Sequence, residues 1–293
     1  MVNFIETSGM LPRPPAGTDT PRIMDETEHF AVVYKPPFLH SAPLKKDSVP
    51  TGAGGEERGY GSLLGWYART FPGIRRVRGR NEWEGGILHR LDFETWGLVL
   101  FAKTQFAMDA LLVQQDQGSF VKEYGALSLV ERRDRLPGFP TGIFFEDACP
   151  CLSTGGSLPP APFSVESAFR PYGPGRKAVR PSVDRRPPFQ EGPVCGARGP
   201  LQTGAGRRLY QTEILEWEAE GKRIRFRLRL KRGFRHQIRC HLAWLGFPLL
   251  NDALYGGPLE SRAGDARPLA LKADMLAFYD PASSERRVYR LES

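Results

Sequence analysis

Eight consecutive residues, Arg223-Ile224-Arg225-Phe226-Arg227-Leu228-Arg229-Leu230, alternate without a break between arginine and an apolar side chain. Successive side chains of a strand point to opposite faces, so the run reads as a strand with every arginine on one side. A helix would scatter those arginines around its circumference. The chain therefore needs a sheet with an apolar core on one face. The stretch before the run, 211–219, is acidic and joins it through Glu220-Gly221. With those two residues as a hairpin turn, Glu218 faces Arg223 and Glu216 faces Arg225. In that register Arg227 and Arg229 meet no acid and are free for phosphates.

The basic character continues past the strand. Between Lys222 and Arg239 there are nine Lys or Arg and no acid, which makes the local field strongly positive. Ile238, Leu242 and Leu245 fall at i, i+4, i+7, and Gly246 followed by Pro248 ends the run, so 236–245 reads as a helix. A strand-to-helix junction carrying glycine and arginines suits a phosphate or a carboxylate at the helix start. Over the whole chain, 41 Lys and Arg against 33 Asp and Glu leave +8, which fits a polyanionic partner and also serves solubility.

Other classes are disfavoured. The four cysteines, Cys149, Cys151, Cys195 and Cys240, are too few and too irregular for a disulfide framework. No apolar run approaches the ~18 residues of a membrane helix, and residues 1–21 lack the basic start and apolar core of a secretory signal. A cytoplasmic globular protein is expected, as a monomer because no heptad or exposed apolar helix stands out.

Half of the 26 prolines fall within 131–208. Proline fixes φ and removes a donor, so that segment is expected to be a loop-rich insertion with short strand-like pieces such as Ser164-Val165-Glu166-Ser167-Ala168-Phe169. Residues 1–22 are read as a flexible segment and 23–293 as one domain carrying the insertion. Outside it, residues 29–34 read as a strand and Ser62 caps a helix that stops before Pro72. Residues 97–102 have the length of a buried strand. Thr104 opens a helix closed by Gly118, and 121–129 is strand-like again.

Five histidines invite a metal, yet His236 and His241 are five apart, off a common helix face, and Cys149-Pro150-Cys151 has no second pair. The glycines of 52–61 lack the lysine and helix of a phosphate loop, and no nucleophile elbow occurs. Neither metal nor cofactor is expected; side chains alone carry the chemistry. Two blocks stand out: Gly85-Gly86-Ile87-Leu88-His89-Arg90-Leu91-Asp92 running into Thr95, Trp96 and Gly97, and the start of the 236–245 helix. Read alone, an Asp in a loop before a strand is most often a turn or cap residue.

Together the blocks resemble the RluA-type RNA pseudouridine synthases. His89-Arg90-Leu91-Asp92, then Thr95 and Gly97-Leu98-Val99-Leu100-Phe101-Ala102-Lys103-Thr104, is similar to that family's His-Arg-Leu-Asp signature with its apolar strand and Ala-Lys-Thr end. Lys35-Pro36, Lys122-Glu123-Tyr124, Tyr210-Gln211-Thr212-Glu213, His236-Gln237-Ile238-Arg239, Asp252 and Tyr255-Gly256 follow in the family's order. The resemblance implies an α+β fold, a mixed and mainly antiparallel sheet flanked by helices, with a basic active-site cleft. It implies isomerisation of uridine to pseudouridine in structured ribosomal or transfer RNA, with Asp92 as the catalytic carboxylate, Tyr124 against the target base and Arg239 paired with Asp92. Arg90 is implied to fill the gap left by the extracted nucleotide, and His89 to shape the loop. Lys35, Arg232, Arg235, His236 and Gln237 complete the expected RNA-binding set. Attack at C1′ and removal of a C2′ proton both remain open as roles for the Asp.

Trp96 stands where the family usually has serine, and Phe234 where it usually has arginine. The stretch before the Lys-Pro strand is too short for a separate RNA-binding domain, so RNA contacts are expected from the catalytic domain and from the basic residues Arg170, Arg176, Lys177 and Arg180 of the insertion. A non-catalytic RNA-binding or ribosome-assembly factor with the same fold is the alternative.

Overall fold

Two fully buried strands show how the sheet is built. In the computed structural model, which describes residues 19–43, 61–131, 133–134, 136–140, 158–182, 208–259 and 267–291, strands β2 (Phe30–Lys35) and β3 (Trp96–Ala102) are buried at every position. Their side chains divide by parity. Ala31, Val33, Val99 and Phe101 enter one apolar cluster; Phe30, Val32, Tyr34, Leu98 and Leu100 enter another. The period of two thus places a core on each face of the sheet.

The remaining strands are β1 (Arg22–Glu26), β4 (Val121–Leu129), β5 (Phe163–Tyr172), β6 (Ala178–Ser182), β7 (Tyr210–Glu220), β8 (Arg223–Leu230), β9 (Leu271–Tyr279) and β10 (Arg286–Arg290). The sheet runs β1-β2-β3-β9-β4-β8-β7-β5-β6, with β10 also on β9. Among the described strands only the short β3–β9 pairing, Trp96↔Lys272 and Gly97↔Ala273, is parallel. It depends on a glycine: Gly97 has φ +128, and a Cβ there would lie 2.2 Å from the Ala273 carbonyl oxygen.

Among the described residues three helices cover the sheet, giving the expected mixed α+β fold. Helix α1 (Leu63–Thr70) starts at Ser62, whose hydroxyl accepts from Gly65 N at 3.1 Å. Helix α2 (Gln105–Gln117) starts at Thr104, which accepts from Ala107 N at 3.2 Å, and ends on left-handed Gly118. Helix α3 (Gln237–Leu245) ends on left-handed Gly246. These caps satisfy orphan backbone groups at the helix ends, as the sequence indicated. Residues of α1 and α3 belong to the first core cluster, and Ala107, Met108 and Leu111 of α2 to the second.

The hairpin register departs from expectation. The turn is Gly221-Lys222, with Gly221 at φ +57, so Glu220 faces Arg223, Glu218 faces Arg225 and Glu216 faces Arg227. A bulge then sets Glu213 opposite Arg229. Arg227 pairs with Glu216, and Arg229 lies 2.9 Å from Glu123 and 3.5 Å from Glu213. The arginine row is thus neutralised, and Arg227 and Arg229 are not free for phosphates. The apolar side chains of β8 lie in the same cluster as α3, so the arginines face away from that helix.

Described parts of the proline-rich segment join the sheet rather than loop over it. β5 pairs with β7 and extends the sheet to β6. Cys240 is buried with a free thiol. Cys149, Cys151, Cys195, the glycines of 52–60, most of the N-terminal segment and the Arg185-Arg186-Pro187-Pro188 stretch lie outside the described residues.

Candidate active site

Asp92 sits in the loop that leads into β3, and that loop is pinned on both sides of it. The Ser41 hydroxyl accepts from Leu91 N at 3.0 Å and donates to Leu91 O at 2.9 Å. On the other side, Lys35 Nζ donates to Thr95 O at 2.5 Å, Pro36 O at 3.0 Å and Phe93 O at 3.3 Å. Lys35 is fully buried. Its ammonium donates to these carbonyls and holds the Asp92 loop in shape, away from the cleft surface where it was expected to meet RNA.

Opposite Asp92 stands the first turn of α3. Arg239 Nη1 lies 3.1 Å from Asp92 Oδ2, while its Nε and Nη2 donate to Asp252 Oδ2 and Oδ1 at 2.8 and 2.7 Å. Its guanidinium also lies 5.4 Å from the centre of the Tyr255 ring. The Asp252 side chain is fully buried, that of Arg239 is 6% exposed and that of Asp92 24% exposed. The fork-to-fork pair with Asp252 thus fixes the guanidinium, and the remaining N–H meets the one carboxylate that opens to solvent. Burial alone would lower the Arg239 pKa, but the bonds to Asp252 and the charge of Asp92 raise it instead.

Asp92, Tyr124, Arg239, His89, Arg90, Arg232, Arg235 and His236 line one cleft of about 960 Å³, the size of a site that takes a whole small ligand. Tyr124 is buried on β4; burial, and secondarily the charge of Asp92, push its phenol pKa up. His236 Nε2 is 3.8 Å from Asp92 Oδ2 and its Nδ1 is 3.3 Å from the Tyr255 hydroxyl. Burial lowers its pKa, so the ring is neutral at pH 7 and Arg239 supplies the positive charge beside Asp92. His236 itself has left-handed backbone, φ +56, the kind of local strain found at functional sites.

The other expected residues divide. Arg90 is at the mouth, 52% exposed and 2.8 Å from Glu84. His89 faces the Phe120 ring, and burial lowers its pKa to about 3, so it is uncharged at neutral pH. Arg232 donates to the Asp116 carbonyl, and Arg235 to Arg176 O at 2.9 Å and Ala178 O at 3.3 Å. Gln237 is 2% exposed, accepts from Phe234 N and donates to Gln211 O and Thr212 Oγ1. In this structure it braces the loop before α3, with its side-chain amide bonded within the protein. His241 is likewise a core residue, bonded to Ser167 and Thr212.

Both departures from the resembled pattern leave the Asp92–Arg239 pair intact. Trp96 is buried in the second core cluster, edge-on to Tyr34, off the cleft. Phe234 lines the cleft and stacks on Phe169 of β5 at 4.9 Å and 6°. A residue of the proline-rich segment therefore supports the cleft rim. Among the described residues no group of three or more His, Cys, Asp or Glu is placed to hold a metal, and no helix is long and apolar enough to cross a membrane.

Two residues central to this geometry were missing from the expected site. Asp252 carried one available signal, its place between the helix and Tyr255-Gly256; Lys122 carried only its neighbour Tyr124. Neither burial nor pairing can be read from such positions.

The comparisons with known proteins agree with this arrangement. The model of the RNA pseudouridylate synthase family matches residues 29–244. Ribosomal large subunit pseudouridine synthase D of Vibrio parahaemolyticus is 27% identical over 273 residues, which cover 90% of this chain and 64% of the relative. The protein of the same name from Escherichia coli O6:H1 is 26% identical over 271 residues, 89% of this chain and 63% of the relative. This chain thus spans a little under two thirds of those relatives' length. The solved structure of human RNA pseudouridylate synthase domain containing 1 superposes with a TM-score of 0.55 at 18% identity, covering 96% of this chain and 86% of that one, and so shares its fold. With the family model matched over well more than half of its length, this chain belongs to the RNA pseudouridylate synthase family.

Proposed function

We propose that this protein isomerises uridine to pseudouridine in RNA, with Asp92 as the catalytic carboxylate. The observation that carries this reading is the Asp92–Arg239–Asp252 array at the wall of a nucleotide-sized cleft, in a chain of this family. A uridine flipped into the cleft brings C1′ to the exposed side of Asp92; unstacking costs a few kcal/mol, least in a loop. The N1–C1′ bond breaks, the uracil turns, and C5 bonds to C1′. The proton lost from C5 is balanced by one gained at N1. Asp92 starts the sequence either as nucleophile at C1′ or as base at C2′.

Arg239 supplies fixed positive charge beside the carboxylate and, tied to Asp252, does not reorganise during the reaction. Tyr124 keeps its phenol proton at neutral pH because its pKa is raised. Its ring therefore serves as a wall for the base, and accepting the C5 proton requires passing on its own. Arg90, at the mouth, is the side chain placed to enter the vacated stack. No cofactor enters this scheme, and the protein is read as a cytoplasmic monomer. The similar proteins are named as synthases of the ribosomal large subunit, so large-subunit ribosomal RNA is the first substrate to test.

The test is tritium release from ribosomal RNA labelled at uracil C5. Wild type releases tritium, whereas Asp92→Asn falls by about 10³-fold or more with RNA affinity held. Tight RNA binding by wild type without release would replace this reading with a non-catalytic binding or assembly factor.

A further inference from the structure

Among the described residues, Lys122 is a buried ammonium with no anion paired to it. The residue is 3% exposed and lines the cleft. Its Nζ stands 5.0 Å from the centre of the Phe120 ring and 3.8 Å from where a Cβ on Gly233 would lie. Among the described residues it makes no ion pair. The groups around it do not supply one: His89, from the loop before β3, is neutral, and Tyr124, on the same face of β4, keeps its proton. Arg80 adds a like charge, and the Asp116 carboxylate on α2 is already taken by Arg80 at 3.0 Å. Arg232, from the segment after β8, is a third cation in this wall.

Buried charges are normally paired or neutralised, and an aromatic ring is a weak substitute for a carboxylate. Here Lys122 and Arg232, neither in an ion pair among the described residues, line one cavity open to a ligand, with Arg80 held by Asp116 beside them. An uncharged base offers only dipoles, whereas a backbone phosphate offers a full negative charge. Lys122 and Tyr124 are two residues apart on one face of a strand, roughly 7 Å, about the reach from a nucleotide's base to its own backbone phosphate. We propose that Lys122, with Arg232, forms a phosphate subsite in the cleft that takes one backbone phosphate beside the flipped uridine. This deepens the RNA-isomerase reading and rests on it.

Burial and Arg80 lower the Lys122 pKa to about 8, which gives the subsite a pH signature. The neighbouring His89 and His236 are lowered and Tyr124 and Tyr255 raised, so they do not titrate near pH 8. A terminal phosphate is close to fully dianionic above about pH 7. The probes are uridine and uridine 3′,5′-bisphosphate, titrated calorimetrically into wild type, Lys122→Met and Lys122→Arg at about pH 7 and about pH 9.5. Wild type is expected to prefer the bisphosphate at pH 7 and to lose about tenfold or more of that preference at pH 9.5. Lys122→Met, checked for folding by circular dichroism, loses about tenfold or more already at pH 7, and Lys122→Arg keeps the preference at both pH values. No preference in wild type, an unchanged wild-type preference between the two pH values, or full preference in folded Lys122→Met overturns the subsite. Because no turnover is measured, a Lys122-dependent preference without tritium release would sink the isomerase reading alone.

Discussion

Arg239 shares one guanidinium between a carboxylate that is sealed in the core and one that opens to the cleft. Removing the sealed partner leaves a buried charge half satisfied, so Asp252→Ala is expected to cost roughly 3–5 kcal/mol in urea denaturation and to reduce tritium release. Asp92→Asn, at the more exposed end, should leave the urea midpoint nearly unchanged while turnover disappears. Lys122 predicts the opposite sign. Its folded pKa of about 8 lies below the ordinary lysine value of 10.5, so the unfolded chain holds the proton to higher pH than the fold does. The resulting penalty is complete below about pH 8 and vanishes as pH rises past 10.5. Lys122→Met should therefore be more stable than wild type at pH 7, by on the order of 3 kcal/mol, with the gap closing in alkaline buffer. No gap at pH 7 would show that the amine is not held charged against its surroundings. At this scale the sequence singled out the candidate residues and, through the family resemblance, the Asp92–Arg239 pair, but not the part of Asp252 or the contacts of Lys35 and Gln237. Lys35 and Gln237 look like phosphate contacts in a string of letters, yet the fold buries both and uses them to shape loops.

Elements were more legible than partners, because their signals are local. Ser62, Thr104, Gly118 and Gly246 mark helix ends through their own backbone or hydroxyl chemistry. Parity marks β8 through eight adjacent side chains. The hairpin register was misread because Glu220-Gly221 and Gly221-Lys222 differ by one residue as turns, and that slip moves every cross-strand pair by two. Glycine positions carry a related prediction. Gly97→Ala should prevent the β3–β9 pairing, since Ala273 backbone atoms lie within 2.2–2.8 Å of the new Cβ at a positive φ; a loss above about 3 kcal/mol, or failure to fold, is expected. Gly125→Ala in β4 meets nothing within 4 Å and should change stability by no more than about 0.5 kcal/mol. Equal thermal midpoints for the two variants would show that the parallel junction is not a close contact.

Across the molecule, charge is sorted by face. The arginine row of β8 is neutralised by Glu123, Glu213 and Glu216, whereas Lys122, Lys177, Arg208, Arg232 and Arg235 line the cleft on the side of α3 and make no ion pair among the described residues. If these five meet phosphates, RNA affinity should fall with salt at a log–log slope of about −3.5 to −4.5. Arg227→Gln should leave that slope unchanged, and Arg208→Gln should reduce its magnitude by about 0.7 to 0.9. Equal effects from both would mean that the two faces share the work. The sequence by itself determined the elements, the basic character and the blocks that belong to this family, because capping, parity and motif spacing are written in neighbouring residues. Tertiary structure alone decided that Asp252 locks Arg239, that Lys122 has no counter-ion among the described residues, that β5 supports the cleft with Phe169, and which arginines are already paired. Those facts depend on burial and on contacts between residues far apart in the chain, such as Asp92 and Arg239, and distance in sequence carries no record of distance in space.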